Sequence, residues 1–313
     1  MARFKVVVSD QVFPSVDTER SMLGEIDAEL EVAEGDMEQV LSVASDADAI
    51  LNTYLPWDEP ALARLDRCRI IARYGIGVDN IDLEAARRHD IVVTNVPDYS
   101  VEEVAVHALG LLLAALRRLP TAERMVAEGR WGIDGVRPIR RLSLLTVGLL
   151  GYGRIGRRLG ALLNVVGAEV IVHDPYLQPD PDGPSLVGFE ELLERADIVS
   201  IHAPLTPETR GMIDTDAIGR MRPGAILVNT SRGLLVDLDA VTAALSEGRL
   251  GGAALDVFDV EPLDPARIAG VPNLISTPHM AYYSEEALAE SQRKAATQVI
   301  KVLTGEQPDY QVN

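Results

Sequence analysis

The chain has 313 residues, a length that suits two domains with separate cores. Its 48 acidic residues against 29 basic ones leave a formal charge of -19, which excludes nucleic acid and anionic membrane surfaces as direct partners. Hydrophobic residues make up 47% of the chain, but no uninterrupted apolar run approaches the roughly 18 residues that a membrane-spanning helix needs.

The first residues, Met1-Ala2-Arg3-Phe4-Lys5, lack the apolar core of a signal peptide and lead straight into a strand, so a cytoplasmic protein is expected. A single cysteine, Cys68, lies in an apolar stretch and reads as a packed thiol. No metal site is predicted. In so acidic a chain, a site that handles an anionic substrate must supply its own cations. Those must be arginines, because lysine occurs only at Lys5, Lys294 and Lys301.

Short Val- and Ile-rich runs alternate with amphipathic stretches, the pattern of parallel strands covered by helices on both faces. The fold class is α/β, with two doubly wound parallel-sheet domains. The first five strands are predicted near 4–9, 29–33, 48–53, 69–74 and 91–96. Leu83 to Arg88 is the clearest of the helices between them.

Pro97-Asp98-Tyr99 reads as a boundary or hinge. Ser100 and Glu103 form a capping-box pattern before a long apolar helix that Pro120 closes. Residues 120–142, with Trp131, show no strong periodicity and read as an arm that packs on a partner subunit. A second series of strands is predicted near 145–150, 169–174, 197–202, 225–230, 252–257 and 274–278. Gln178 to Pro184 reads as an exposed loop between them. A final amphipathic helix spans 284–303 and returns to the first unit. The domains are therefore 1–98 with 284–313, and 99–283.

The strand 144–150 runs into Gly151-Tyr152-Gly153-Arg154-Ile155-Gly156 and then a helix. In this context the glycines give a tight turn, close approach to a pyrophosphate and close helix–strand packing. The next strand ends in Asp174, eighteen residues after Gly156, placed to bind a ribose 2′-hydroxyl and to repel a 2′-phosphate. NAD is the cofactor this predicts.

Three further strand ends carry Asn229-Thr230-Ser231-Arg232, Asp256 to Glu261, and Thr277-Pro278-His279. An arginine, a carboxylate and a histidine at one sheet edge suit reduction of a 2-oxo acid: carboxylate capture, an orienting acid and a proton donor.

These segments resemble the D-isomer-specific 2-hydroxyacid dehydrogenases over nearly the whole chain. The resemblance implies a flavodoxin-like substrate domain, a Rossmann NAD-binding domain and catalytic Arg232, Glu261 and His279. It also implies Asp256 as the ligand of the nicotinamide carboxamide, and cofactor contacts from His202, Pro204, Thr230 and Ser231. The family's carboxylate-binding loop corresponds to Arg73, Tyr74, Gly75 and Ile76, with Tyr282 lining the substrate pocket.

Residues 95–103, 173–177 and 277–285 are most similar to the C-terminal-binding-protein (CtBP-like) subgroup. Tyr282 stands where its animal corepressors have tryptophan, and the chain ends soon after the last helix, which weighs against a corepressor role.

The expected activity is that of an NAD-dependent oxidoreductase acting on a small 2-hydroxy or 2-oxo acid, assembled as a homodimer. Closure about hinges near Pro97 and Ala281 is expected to exclude water. The alternatives are an NAD(H)-sensing regulatory protein, or a dehydrogenase of another small acid such as formate or phosphite.

Overall fold

The computed structural model describes residues 2–181 and 183–313. The chain forms two compact units: residues up to Ser100 together with Ser284–Asn313, and Val101–Tyr283. It leaves the first unit after Ser100, two residues beyond the expected boundary. The ion pair between Lys294 and Asp98, at 2.6 Å, is one contact that keeps the Pro97 segment with the first unit.

In the first unit, strands β1 (Phe4–Val8), β2 (Ala28–Val32), β3 (Ala49–Asn52), β4 (Ile70–Arg73) and β5 (Val92–Thr94) alternate with helices α1 (Asp17–Gly24), α2 (Met37–Ala44), α3 (Glu59–Leu62) and α4 (Leu83–Arg88). The strands pair in parallel in the order β2-β1-β3-β4-β5, the doubly wound order of a flavodoxin-like sheet. Every residue of β3 and β4 is buried, as a sheet covered on both faces requires. Asp36, Asp58 and Asp82 cap α2, α3 and α4, and Asp36 forms a reciprocal capping box with Gln39.

The second unit begins with α5 (Val101–Leu116) and α6 (Leu119–Ala127). The Ser100 hydroxyl is buried with no hydrogen-bond partner, so the serine half of the expected capping box is not formed. Pro120 opens α6 instead of closing α5. The chain turns at Arg118 (φ 53°), and proline at a first helical turn forfeits no hydrogen bond. Part of the supposedly irregular arm is therefore helical. Farther along, Arg140 pairs with the buried Asp197 at 2.6 Å and anchors the arm's end to the sheet.

The sheet of this unit comprises β6 (Thr146–Leu150), β7 (Glu169–His173), β8 (Ser185–Leu186), β9 (Ile198–Ile201), β10 (Ala225–Asn229), β11 (Leu250–Leu255) and β12 (Leu274–Ser276). Helices α7 (Arg154–Val165), α8 (Phe189–Arg195), α9 (Thr215–Arg220) and α10 (Leu238–Ser246) lie between the strands in sequence. Its parallel order, β12-β11-β10-β9-β6-β7-β8, is a Rossmann arrangement. The two-residue edge strand β8 was not expected. It follows the predicted loop 178–184, of which Asp182 lies outside the described residues.

Helix α11 (Glu285–Thr304), capped by Ser284 and ended by Gly305 at φ 88°, returns to the first unit. There it packs on α1, β3 and β4, with Ala295, Ala296 and Val299 buried. Among the described residues no single helix is long and apolar enough to cross a membrane.

Candidate active site

Strand β6 delivers Gly151 at φ 92°, with its amide bonded to His173 at the end of β7. A Cβ on Gly151 would lie 2.7 Å from the backbone of His202 and Ala203, and one on Gly156 would strike the Gly151 carbonyl. Packing of the protein on itself dictates both glycines. Gly153, at the N-cap of α7, is different. No side chain caps the helix there, and a Cβ at Gly153 would meet nothing. The protein leaves an open cradle in front of a helix N-terminus, which fits a pyrophosphate.

Asp174 is fixed beside this turn. Its two carboxylate oxygens accept the amides of Tyr152 at 2.9 Å and Tyr176 at 3.0 Å. The glycine turn and the predicted ribose ligand are thus brought together, and the donor set fits NAD. Arg154 is exposed in the first turn of α7. The Ile155 side chain is partly buried and packs toward the core.

His202 sits at the adjoining strand end with Nε2 2.9 Å from Ser200 Oγ. Burial pushes its pKa down to about 4, so the ring is neutral. Pro204 is exposed. The Ser231 hydroxyl donates to the Ala203 carbonyl at 2.7 Å and ties the β9 and β10 loops together, which is a structural use of a predicted cofactor ligand. The Thr230 hydroxyl is buried without a hydrogen-bond partner, an orphan that suits a ligand contact.

Arg232 follows β10 in extended conformation. Its carbonyl is held by Asn229 Nδ2 at 2.8 Å, and its Nη1 donates to the Ser231 carbonyl. The next residue, Gly233, lies so close to the Phe258 backbone that no side chain fits there. The Phe258 amide in turn donates to Glu261 Oε1 at 2.8 Å, and Glu261 Oε2 lies 2.7 Å from His279 Nδ1. Loops after β10, β11 and β12 thereby assemble the arginine, the carboxylate and the histidine. Burial alone would push the Glu261 pKa up, but the hydrogen bonds from His279 and from the Phe258 amide outweigh it and hold the carboxyl below its usual range. The Tyr282 ring meets the His279 imidazole edge-on at 6.3 Å, consistent with a place beside the reacting centre.

Asp256, expected to bind the nicotinamide carboxamide, stands directly after β11, at the strand end that leads into the Glu261 loop. It is fully buried, and its oxygens accept the Met280 amide (3.0 Å), the Ala281 amide (2.9 Å) and the Thr277 hydroxyl (2.5 Å). Its carboxylate organises the turn that carries His279. Burial would raise its pKa, but hydrogen bonds from His107, Thr277 and the two amides lower it. His107 and Thr277 were not expected to take part, and a histidine among apolar helix neighbours carries no sequence signal of such a role.

In the first unit, the expectation for the Tyr74 side chain is corrected. Tyr74 is 1% exposed, with its hydroxyl donating to buried Glu19 at 2.7 Å and its ring edge-on to Phe13. It is a core residue. Arg73 is buried, donates from Nε to Asn80 at 3.0 Å and has its guanidinium beside Gly75. The loop's carbonyls are also fixed: Val96 N donates to Gly75 O and Asn95 Nδ2 to Ile76 O.

Residues 109–281 match the family model described as the NAD-binding domain of D-isomer-specific 2-hydroxyacid dehydrogenases. The chain is 35% identical to a glyoxylate reductase of Aeropyrum pernix, covering 100% of itself and 97% of that protein. It is also 35% identical to a D-3-phosphoglycerate dehydrogenase of Mycobacterium tuberculosis over 96% of itself, but spans only 57% of that longer protein. A D-lactate dehydrogenase structure from Aquifex aeolicus, complexed with NAD and lactic acid, superposes with a TM-score of 0.89 at 29% identity, covering 96% of each chain.

Proposed function

Because this chain belongs to the D-isomer-specific 2-hydroxyacid dehydrogenase family, we propose that it is an NAD-dependent reductase of small 2-oxo acids, with His279 as the acid/base. The Glu261–His279 pair at 2.7 Å carries this reading.

NAD would be held by the amides around Gly153 and by Asp174, and when bound would supply or accept the hydride. Arg232 binds the substrate carboxylate through paired N–H groups. The amides of Gly75 and Ile76 are proposed as substrate contacts on the resemblance of their loop alone. With Nδ1 held by Glu261, His279 Nε2 gives its proton to the carbonyl oxygen as hydride reaches C2, and the C=O bond becomes CH–OH. Glu261 fixes the ring and stabilises its charged form before transfer. In the reverse direction His279 takes the hydroxyl proton.

The same reading makes the protein a cytoplasmic homodimer, and the charge of -19 weighs against nucleic acid and membranes as partners. Leu119, Val126, Trp131 (91% exposed) and Ile133, on α6 and the arm, support pairing with a second copy. Light scattering that gives a monomer mass overturns the dimer. CtBP-like kinship rests on the segments 95–103, 173–177 and 277–285.

The test of function is NADH oxidation, followed by absorbance, against glyoxylate, hydroxypyruvate, pyruvate, phenylpyruvate and methylthio-oxobutyrate, with the His279→Ala variant alongside. Turnover that disappears in the variant supports the reading. Tight NADH binding without turnover on any acid removes it in favour of an NAD(H) sensor.

A further inference from the structure

We infer that His107 is a positioning residue for His279, acting through Thr277 and Asp256; this rests on the reading of His279 as the proton donor. His279 is a non-glycine residue at φ 52°, a left-handed conformation that persists only where its surroundings impose it. Asp256 imposes it from both sides. Its carbonyl accepts the His279 amide at 2.8 Å, and its carboxylate grips the amides of Met280 and Ala281.

A carboxylate only accepts hydrogen bonds, so the Thr277 hydroxyl spends its one proton on Asp256 Oδ1. The Thr277 oxygen is therefore an acceptor toward His107 Nε2, 3.2 Å away, and His107 carries hydrogen on Nε2. The same nitrogen lies 3.6 Å from Asp256 Oδ1. Helix α5 thus fixes the rotamers of Thr277 and Asp256, and through them the backbone that aims His279 at Glu261. An apolar residue at 107 leaves the Thr277 lone pair buried and lets the turn relax, which misplaces the imidazole without touching it.

The experiment compares His107→Leu with His107→Gln, whose Nε2 reproduces the donor. It reads kcat, KM for NADH, and the ring signals of His279 in long-range ¹H–¹⁵N spectra. The expected result for leucine is a fall in kcat on the order of tenfold, short of the roughly hundredfold cost of a full misplacement. KM for NADH stays unchanged, the His279 ring signals shift, and glutamine restores both kcat and ring signals. Should the leucine variant fail to fold, Thr277→Val breaks the same chain of bonds and is read the same way. Unchanged ring signals in either folded variant, or a glutamine variant as impaired as leucine, overturn the inference. A wild-type protein inactive on every 2-oxo acid defeats the proposed reaction instead, while the ring signals still decide the positioning role.

Discussion

His279 Nδ1 lies 2.7 Å from Glu261 Oε2, and the other oxygen of that carboxylate is fixed by the Phe258 amide at 2.8 Å. The imidazole is thus oriented by a group that is itself oriented. Replacing His279 with alanine is expected to lower kcat on the order of a hundredfold or more with NADH affinity retained. Glu261→Gln is expected to cost less, and the double variant to be no slower than His279→Ala alone, since residues acting as one unit do not add. Steady-state kinetics on the three proteins checks this, and additive losses contradict it.

The two kinds of glycine in the phosphate turn separate folding from binding. Gly156→Ala drives a methyl into the Gly151 carbonyl and is expected to lower Tm, whereas Gly153→Ala meets no protein atom and is expected to leave Tm unchanged. The second variant still weakens NADH binding, because its methyl fills the space a pyrophosphate needs. Thermal melts and fluorescence titration with NADH decide it.

Tyr74→Phe removes one hydrogen bond from the buried Glu19 carboxylate, which keeps Gln292 Nε2 as a donor at 3.0 Å. The expected cost is about 1–3 kcal/mol in urea unfolding, with the ranking of 2-oxo acids unchanged. A changed ranking would return Tyr74 to the substrate pocket.

His202 titrates near 4 in the folded chain, below the ordinary histidine value, because burial disfavours its charged form. Between these two values the unfolded chain binds the extra proton, so the neutral ring's contribution is complete above the ordinary value and is lost as pH falls toward 4. His202→Gln is expected to flatten the dependence of the urea midpoint on pH across that window. An equally steep dependence in the variant contradicts this.

What could be read from the sequence follows the range of the interactions involved. The run from Gly151 to Gly156 and Asp174 are legible because turn, helix start and acid are set by local spacing. Arg232, Glu261 and His279 are legible because strand ends of a parallel sheet share one edge. Tyr74 was misread because its direction is decided by Glu19, on a helix 55 residues earlier. The part Asp256 plays in fixing the turn that carries His279 was not legible because its amide donors lie 24 and 25 residues later. Pro120 was taken as a stop because proline marks helix starts as well as ends, and only the turn at Arg118 distinguishes them.

The guanidinium of Arg73 occupies the space that a side chain at Gly75 would need. The two positions are coupled: a residue larger than glycine at 75 displaces the end of the arginine side chain, and a shorter residue at 73 strips Asn80 of its Nε–H donor. Variation at residue 75 is therefore felt first by the hydrogen bond between Arg73 and Asn80.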